Sequence, residues 1–103
     1  MPSNNMEPKK FLASYLEDFS DLVKPNEETV EKLAEVADLL KNVNSVGKKT
    51  LIFGNGGSAA ISSHFSVDLT KNAGLRCVNF NEADLITCFA NDYGFERWVE
   101  KAV

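Results

Sequence analysis

Three stretches of this chain hold residues whose types and spacing could do chemistry. The first is Gly54-Asn55-Gly56-Gly57-Ser58, which follows the β-favouring run Lys49-Thr50-Leu51-Ile52-Phe53 and precedes a segment of helical period from Ser58 to about Lys71. Glycines at these positions let a ligand come close to bare backbone. Free N–H groups at the start of the following helix, aided by its dipole, favour a phosphate. Asn55 and Ser58 add side-chain donors, and the loop falls at the carboxyl end of a strand, where open α/β sheets bind ligands. No Gly-Lys-Ser/Thr follows, and the pattern is not G-x-G-x-x-G, so neither nucleotide fingerprint applies. The same glycines would also serve a plain tight connection between strand and helix.

The second stretch is His64 with Asp68. Four residues apart on the expected helix, they project from one face about a turn apart. An imidazole and a carboxylate so placed can share a metal ion or act together as acid and base. They can equally be a surface pair joined by a hydrogen bond, and two ligands fall short of the three or four protein ligands that zinc takes. The third stretch, Asn91-Asp92-Tyr93-Gly94, has the residue types of a turn.

These groups need elements to position them. Phe11, Leu12, Tyr15, Leu16, Phe19, Leu22 and Val23 recur at steps of three and four, predicting an amphipathic helix over 7–23 that Lys24-Pro25 stops. Residues 1–6 read as a polar lead. Asn26 is placed to cap a second helix, with Glu27 and Glu28 in its favourable first turn and Gly47 at its end. A strand through Phe53, the glycine loop and a helix carrying Ile61, Phe65 and Leu69 on its apolar side come next. A second strand spans 75–80 and Asn81 is placed to cap a helix from Glu82 to about Ala90. Phe95, Trp98, Val99 and Ala102 open a last helix. The order α-α-β-α-β-α-α predicts a parallel βαβ unit. A two-stranded parallel sheet is thin for such a fold, so the chain reads as the first half of a larger α/β domain or one completed by partners. Cys77 and Cys88 read as small buried apolar residues, while Lys71, Arg76, Arg97 and Lys101 read as solvated surface.

Composition narrows the class. The 103 residues are 44% apolar and 25% charged, an ordinary globular mixture. Eleven basic against fifteen acidic residues give a net charge of −4, which speaks against nucleic acid as a partner. No apolar run reaches the ~20 residues of a membrane span. The opening MPSNNMEPKK lacks the apolar core of a signal peptide. With two cysteines and no CxxC spacing, a soluble, reduced, cytoplasmic protein is expected.

GNGGSAAISSHFSVDLTKN followed by NFNEADLITCFANDYGFERWVEKA resembles the sugar isomerase (SIS) domain family, and within it the phosphoheptose (sedoheptulose-7-phosphate) isomerases. The likeness covers residues 50–103 well. It implies a flavodoxin-like, three-layer α/β fold around a parallel sheet, of which this chain holds the N-terminal half. Residues 1–48 would be a leading helical segment with two helices, and 49–103 the first half of the SIS domain. It implies a phosphosugar isomerase that interconverts sedoheptulose 7-phosphate and a heptose 7-phosphate, working as a homo-oligomer, a tetramer in the family. Asn55, Gly56, Gly57, Ser58, Asn91 and Asp92 would contact the sugar phosphate. His64 would be a zinc ligand, and Asp68 falls where the family has a glutamate that is both metal ligand and catalytic acid/base. Aspartate is one methylene shorter. The family's remaining Ser/Thr-rich phosphate loop and its late Gln and His lie outside these residues, so the chain alone is expected to be inactive. The alternative is a non-catalytic phosphosugar-binding or regulatory SIS module.

Overall fold

Proline at the first helical position needs no hydrogen-bond acceptor, and Pro8 opens α1 (Pro8–Leu22) in the computed structural model, which describes residues 7–103. The polar lead expected at 1–6 lies outside the described residues. α2 (Glu27–Ser45) starts as expected: Asn26 Oδ1 accepts the Thr29 N–H at 2.8 Å. The remaining elements are β1 (Thr50–Leu51), α3 (Gly57–Lys71), β2 (Cys77–Val78), α4 (Ala83–Tyr93), a 3₁₀ turn (Phe95–Arg97) and α5 (Trp98–Ala102). The chain divides into two compact units, one ending at Glu35 and the other running Val36–Val103.

In the first unit, the Phe11 and Tyr15 rings lie 6.0 Å apart on α1, one turn from each other. None of α1's side chains is buried, and Leu12, Tyr15, Leu16 and Phe19 stand exposed. Among the described residues no helix is long and apolar enough to cross a membrane.

The second unit is built on the parallel pair expected from the sequence. β1 and β2 run side by side with Thr50 opposite Cys77 and Leu51 opposite Val78. The Thr50 N–H donates to the Arg76 carbonyl at 2.9 Å and the Ile52 N–H to the Val78 carbonyl at 3.1 Å. Both strands are shorter than expected, and Phe53 lies two residues beyond β1. Its ring stacks on Phe80, centroids 5.7 Å apart, and meets Trp98 edge-on at 5.9 Å. Aromatic contact thus continues past the point where backbone pairing stops. Trp98 is 3% exposed and anchors this cluster.

The expected apolar face of α3 is corrected. Ile61 is 72% exposed and Phe65 42%, while Ser62, Ser66 and Leu69 are buried. The seam between α3 and β2 is polar because a short strand leaves a carbonyl to satisfy. Ser66 Oγ and Thr70 Oγ1 both donate to the Cys77 carbonyl, at 3.0 and 3.3 Å. Serines allow the helix to approach closely and supply the donors as well.

Two further expectations are corrected, at Asn81 and Cys88, and Arg76, exposed as expected, gains a role. The N-cap of α4 is Glu82, whose carboxylate accepts the Asp84 and Leu85 N–H groups at 3.1 and 2.8 Å. Arg76 is a cap for α2: it donates to the carbonyls of Lys48, at 3.1 Å, and Asn44, and its own N–H donates to Asn44 Oδ1 at 3.0 Å. A cation suits the negative end of a helix. Cys77 is buried as expected, but Cys88 is exposed.

Because Trp98 is the best-buried large side chain of the unit, Trp98→Ala should cost about 3–5 kcal/mol. Urea unfolding followed by circular dichroism checks this, and a loss below about 1 kcal/mol would show that the aromatic cluster does not hold the sheet's end.

Candidate functional site

Gly54 is where the strand turns into the site. A Cβ placed there would overlap the Ser58 carbonyl and lie 2.7 Å from the Ala59 nitrogen. The close approach that glycine permits at this position is to the protein's own helix. Gly56 turns the chain with φ +56° and ψ −121°, a region closed to residues with a side chain. Gly57 opens α3 with free space around its Cα.

Within the loop, the Ser58 N–H donates to the Asn55 carbonyl at 3.0 Å, and the Ala59 and Ala60 N–H groups donate to the Gly56 carbonyl at 3.0 and 3.3 Å. Among the described residues, the N–H groups of Asn55, Gly56 and Gly57 have no acceptor. Unpartnered N–H groups at a helix start are the arrangement that suits an anion. Asn55, Gly56, Gly57 and Ser58 are all exposed, so an incoming group can reach them.

His64 and Asp68 lie on the second and third turns of α3. His64 Nε2 and Asp68 Oδ1 are 3.7 Å apart, and both side chains are exposed, at 77% and 50%. Asn72 Nδ2 donates to the same Asp68 oxygen at 3.2 Å, which steadies the carboxylate. With Ile61 and Phe65 they form one outward stripe along the helix, at positions 61, 64, 65 and 68. The imidazole and carboxylate suit two positions of a zinc donor set. Among the described residues no third His, Cys, Asp or Glu joins them in a group that could hold a metal.

Asn91 and Asp92 are not in a turn. They occupy the last turn of α4, and the chain reverses one step later at Gly94, with φ +92°. Asn91 Nδ2 donates to Asp92 Oδ1 at 3.2 Å, and the Cys88 thiol donates to Asp92 Oδ2 at 3.6 Å. The Asp92 charge holds the Cys88 thiol above its ordinary range, so it stays protonated and poorly nucleophilic. The structure therefore makes two local pairs, His64–Asp68 and Asn91–Asp92. Among the described residues, no hydrogen bond joins either pair to the glycine loop.

Asn81, expected only as a cap, has a larger part. Its Nδ2 donates to the Ala59 carbonyl and Ser63 Oγ, both at 2.9 Å, and to Ser62 Oγ at 3.1 Å. Its Oδ1 is buried without a partner among the described residues. Leaving an acceptor unmet costs about 1–3 kcal/mol, which the amide's two hydrogens, shared among these three acceptors, must offset. The adjacent serines Ser62-Ser63 were the available signal, but their partner is 18 and 19 residues away in sequence.

A short parallel pair with its helices, glycine loop and His–Asp stripe makes up an α/β unit, the class of fold that the sequence predicts. No protein-family profile matches the chain. It is 38% identical to the phosphoheptose isomerase of Fusobacterium nucleatum over 99 residues, 89% of this chain and 51% of that protein. With the phosphoheptose isomerase of Trichlorobacter lovleyi it shares 35% over 102 residues, 92% of this chain and 52% of the other. The solved phosphoheptose isomerase GmhA from Neisseria gonorrhoeae superposes with a TM-score of 0.75 at 28% identity, covering 92% of this chain and 52% of that one. The chain is thus a relative of the phosphoheptose isomerases and spans about half their length.

Substitutions separate the roles of the three glycines. Gly54→Ala should destabilise by about 1–3 kcal/mol because there is no space, and Gly56→Ala by a similar ~1–3 kcal/mol because of its dihedrals. Gly57→Ala should stay within about 0.5 kcal/mol. Denaturant midpoints check the order, and equal effects at all three would contradict it. Asp92→Asn should lower the Cys88 pKa toward that of a free thiol, raising its thiolate fraction and its alkylation rate at fixed mildly alkaline pH. An unchanged rate with iodoacetamide would mean that Asp92 does not govern the thiol.

Proposed function

We propose that this chain contributes the phosphate loop and part of the acid–base apparatus of a phosphoheptose-type isomerase, which interconverts sedoheptulose 7-phosphate and a heptose 7-phosphate. One observation carries the reading: three unpartnered backbone N–H groups open the same helix that bears His64 and Asp68 on consecutive turns. A phosphate at the helix start and a reacting carbon farther along then fall on one rigid element. Seven residues separate Gly57 from His64, a rise of about 10 Å along the axis, which suits a sugar held by its distal phosphate.

Asn55, Gly56, Gly57 and Ser58 bind the phosphate through N–H groups and side-chain donors. Asp92 is an acceptor at a helix C-terminus, where negative charge repels phosphate, so Asn91 and Asp92 contact sugar hydroxyls. Aldose–ketose exchange moves one proton between neighbouring carbons and a second from the hydroxyl oxygen to the former carbonyl oxygen, through an enediol. The Asp68 carboxylate takes the first proton from the hydroxyl-bearing carbon and returns it to the other. His64 and Asp68 would supply two of the ligands of a zinc ion, and that ion would polarise the substrate's carbonyl oxygen. The exposed apolar stripes of α1 and α2 serve assembly into a homo-oligomer in the cytoplasm.

A second reading, a phosphosugar-binding module without turnover, is favoured by the short Asp68 side chain. Turnover and binding of sedoheptulose 7-phosphate, measured side by side on the whole protein that contains residues 1–103, decide between them. Asp68→Asn keeps shape and removes the base, so it should lower turnover about 10²–10⁴-fold with affinity largely kept. His64→Ala should act likewise and weaken zinc binding. Unchanged turnover in both variants ends the catalytic reading, and wild-type binding without turnover establishes the module.

A further inference from the structure

We propose that Asn81 is the positioning residue of the glycine loop. Through one side-chain amide it fixes the first two turns of α3 to the end of β2, and so sets where the free N–H groups of Asn55, Gly56 and Gly57 point. The inference rests on the reading of that loop as a phosphate site.

The geometry runs in a short chain. Asn81 Nδ2 holds the Ala59 carbonyl at 2.9 Å, in the first turn of α3. The Ala59 N–H in turn holds the Gly56 carbonyl at 3.0 Å, inside the loop. Ser62 Oγ also donates to the Ala59 carbonyl, at 2.9 Å, while accepting from Asn81, so the amide, the hydroxyl and the carbonyl close a triangle. A shift of Ala59 therefore carries Gly56 with it. Asn81 is itself fixed to the sheet's end. Its N–H donates to Asn79 Oδ1 at 3.1 Å, and its neighbour Phe80 stacks on Phe53, the residue before Gly54.

The other polar ties from α3 to β2, Ser66 and Thr70 to the Cys77 carbonyl, start one turn further along. They hold the middle of the helix and leave its first turn to Asn81. The two hydrogens of the Asn81 amide are shared among a carbonyl and two hydroxyls, and an aspartate would set a lone pair against the Ala59 carbonyl. Asn81 touches no substrate in this account and acts through α3.

The test is amide hydrogen exchange and phosphate titration of the chain by NMR, for wild type and Asn81→Ala. Exchange at Ala59 and Ala60 should accelerate about tenfold, the factor expected for losing one or two hydrogen bonds, while the amides of β2 and the later turns of α3 keep their rates. Shifts of the 55–58 amides with inorganic phosphate or sedoheptulose 7-phosphate should need several-fold more ligand. A purely structural role would speed exchange evenly across 36–103, and that pattern, or unchanged exchange at Ala59 and Ala60, overturns the proposal. Where Asn81→Ala does not fold, Ser63→Ala removes one acceptor and should give the same local pattern at smaller amplitude; its absence also overturns the proposal. A wild type that does not respond to either phosphate refutes the phosphate reading, and the exchange pattern alone then decides whether Asn81 positions the loop.

Discussion

The backbone of Gly54 rests directly on the backbone of Ser58 and Ala59, with no room for a side chain between them. Strand end and helix start are therefore locked at the shortest distance that two main chains allow. The loop between them has only Asn55, Gly56 and Gly57 in which to reverse direction, and Gly56 does so with dihedrals no other residue type adopts comfortably. Among the described residues their N–H groups meet no acceptor, whereas those of Ser58 and Ala59 donate to the carbonyls of Asn55 and Gly56. The unpartnered N–H groups that carry the proposed phosphate site thus accompany the tight packing of Gly54 against the start of α3.

Much of this was legible from local chemistry. Proline after Lys24, Asn26 before Glu27, and the strand–glycine–helix order each act within a few residues, and each sits where the pattern places it. The spacing of His64 and Asp68 also survives, since helical geometry alone brings them within 3.7 Å. Long-range chemistry was not legible. The periodicity of Ile61, Phe65 and Leu69 marks an apolar stripe, yet the strand beside α3 demands donors for the Cys77 carbonyl, and the serine face wins. Arg76 and Asn81 are polar residues whose partners lie far along the chain, so nothing near them in sequence announces a cap or a clamp. Asn91 and Asp92 have turn character, but α4 keeps its hydrogen bonds until Gly94 can take the positive φ.

Placing serines toward the sheet has a counterpart on the other side of α3. Ile61, His64, Phe65 and Asp68 are turned outward together, which puts apolar surface beside the two ionisable groups. An imidazole and a carboxylate in open water are poor catalysts and weak ligands, because solvent screens and hydrates them. Exposed apolar neighbours give an incoming surface something to cover, and covering them would also dry the His–Asp pair. The helix is thus organised so that its structural bonds and its reactive groups do not compete for the same face.

Several of the ties that define the second unit span long stretches of chain. Asn44 meets Arg76 across 32 residues, Lys48 meets Arg76 across 28, and Ala59 meets Asn81 across 22. The two-residue strands offer little pairing on their own. The entropy of closing the loop must therefore be spent before most of these bonds can form, and the first closure brings the others within reach. Residues 36–103 should accordingly gain their sheet, the α2 cap and the loop conformation in one event, with α3 formed early as a local element.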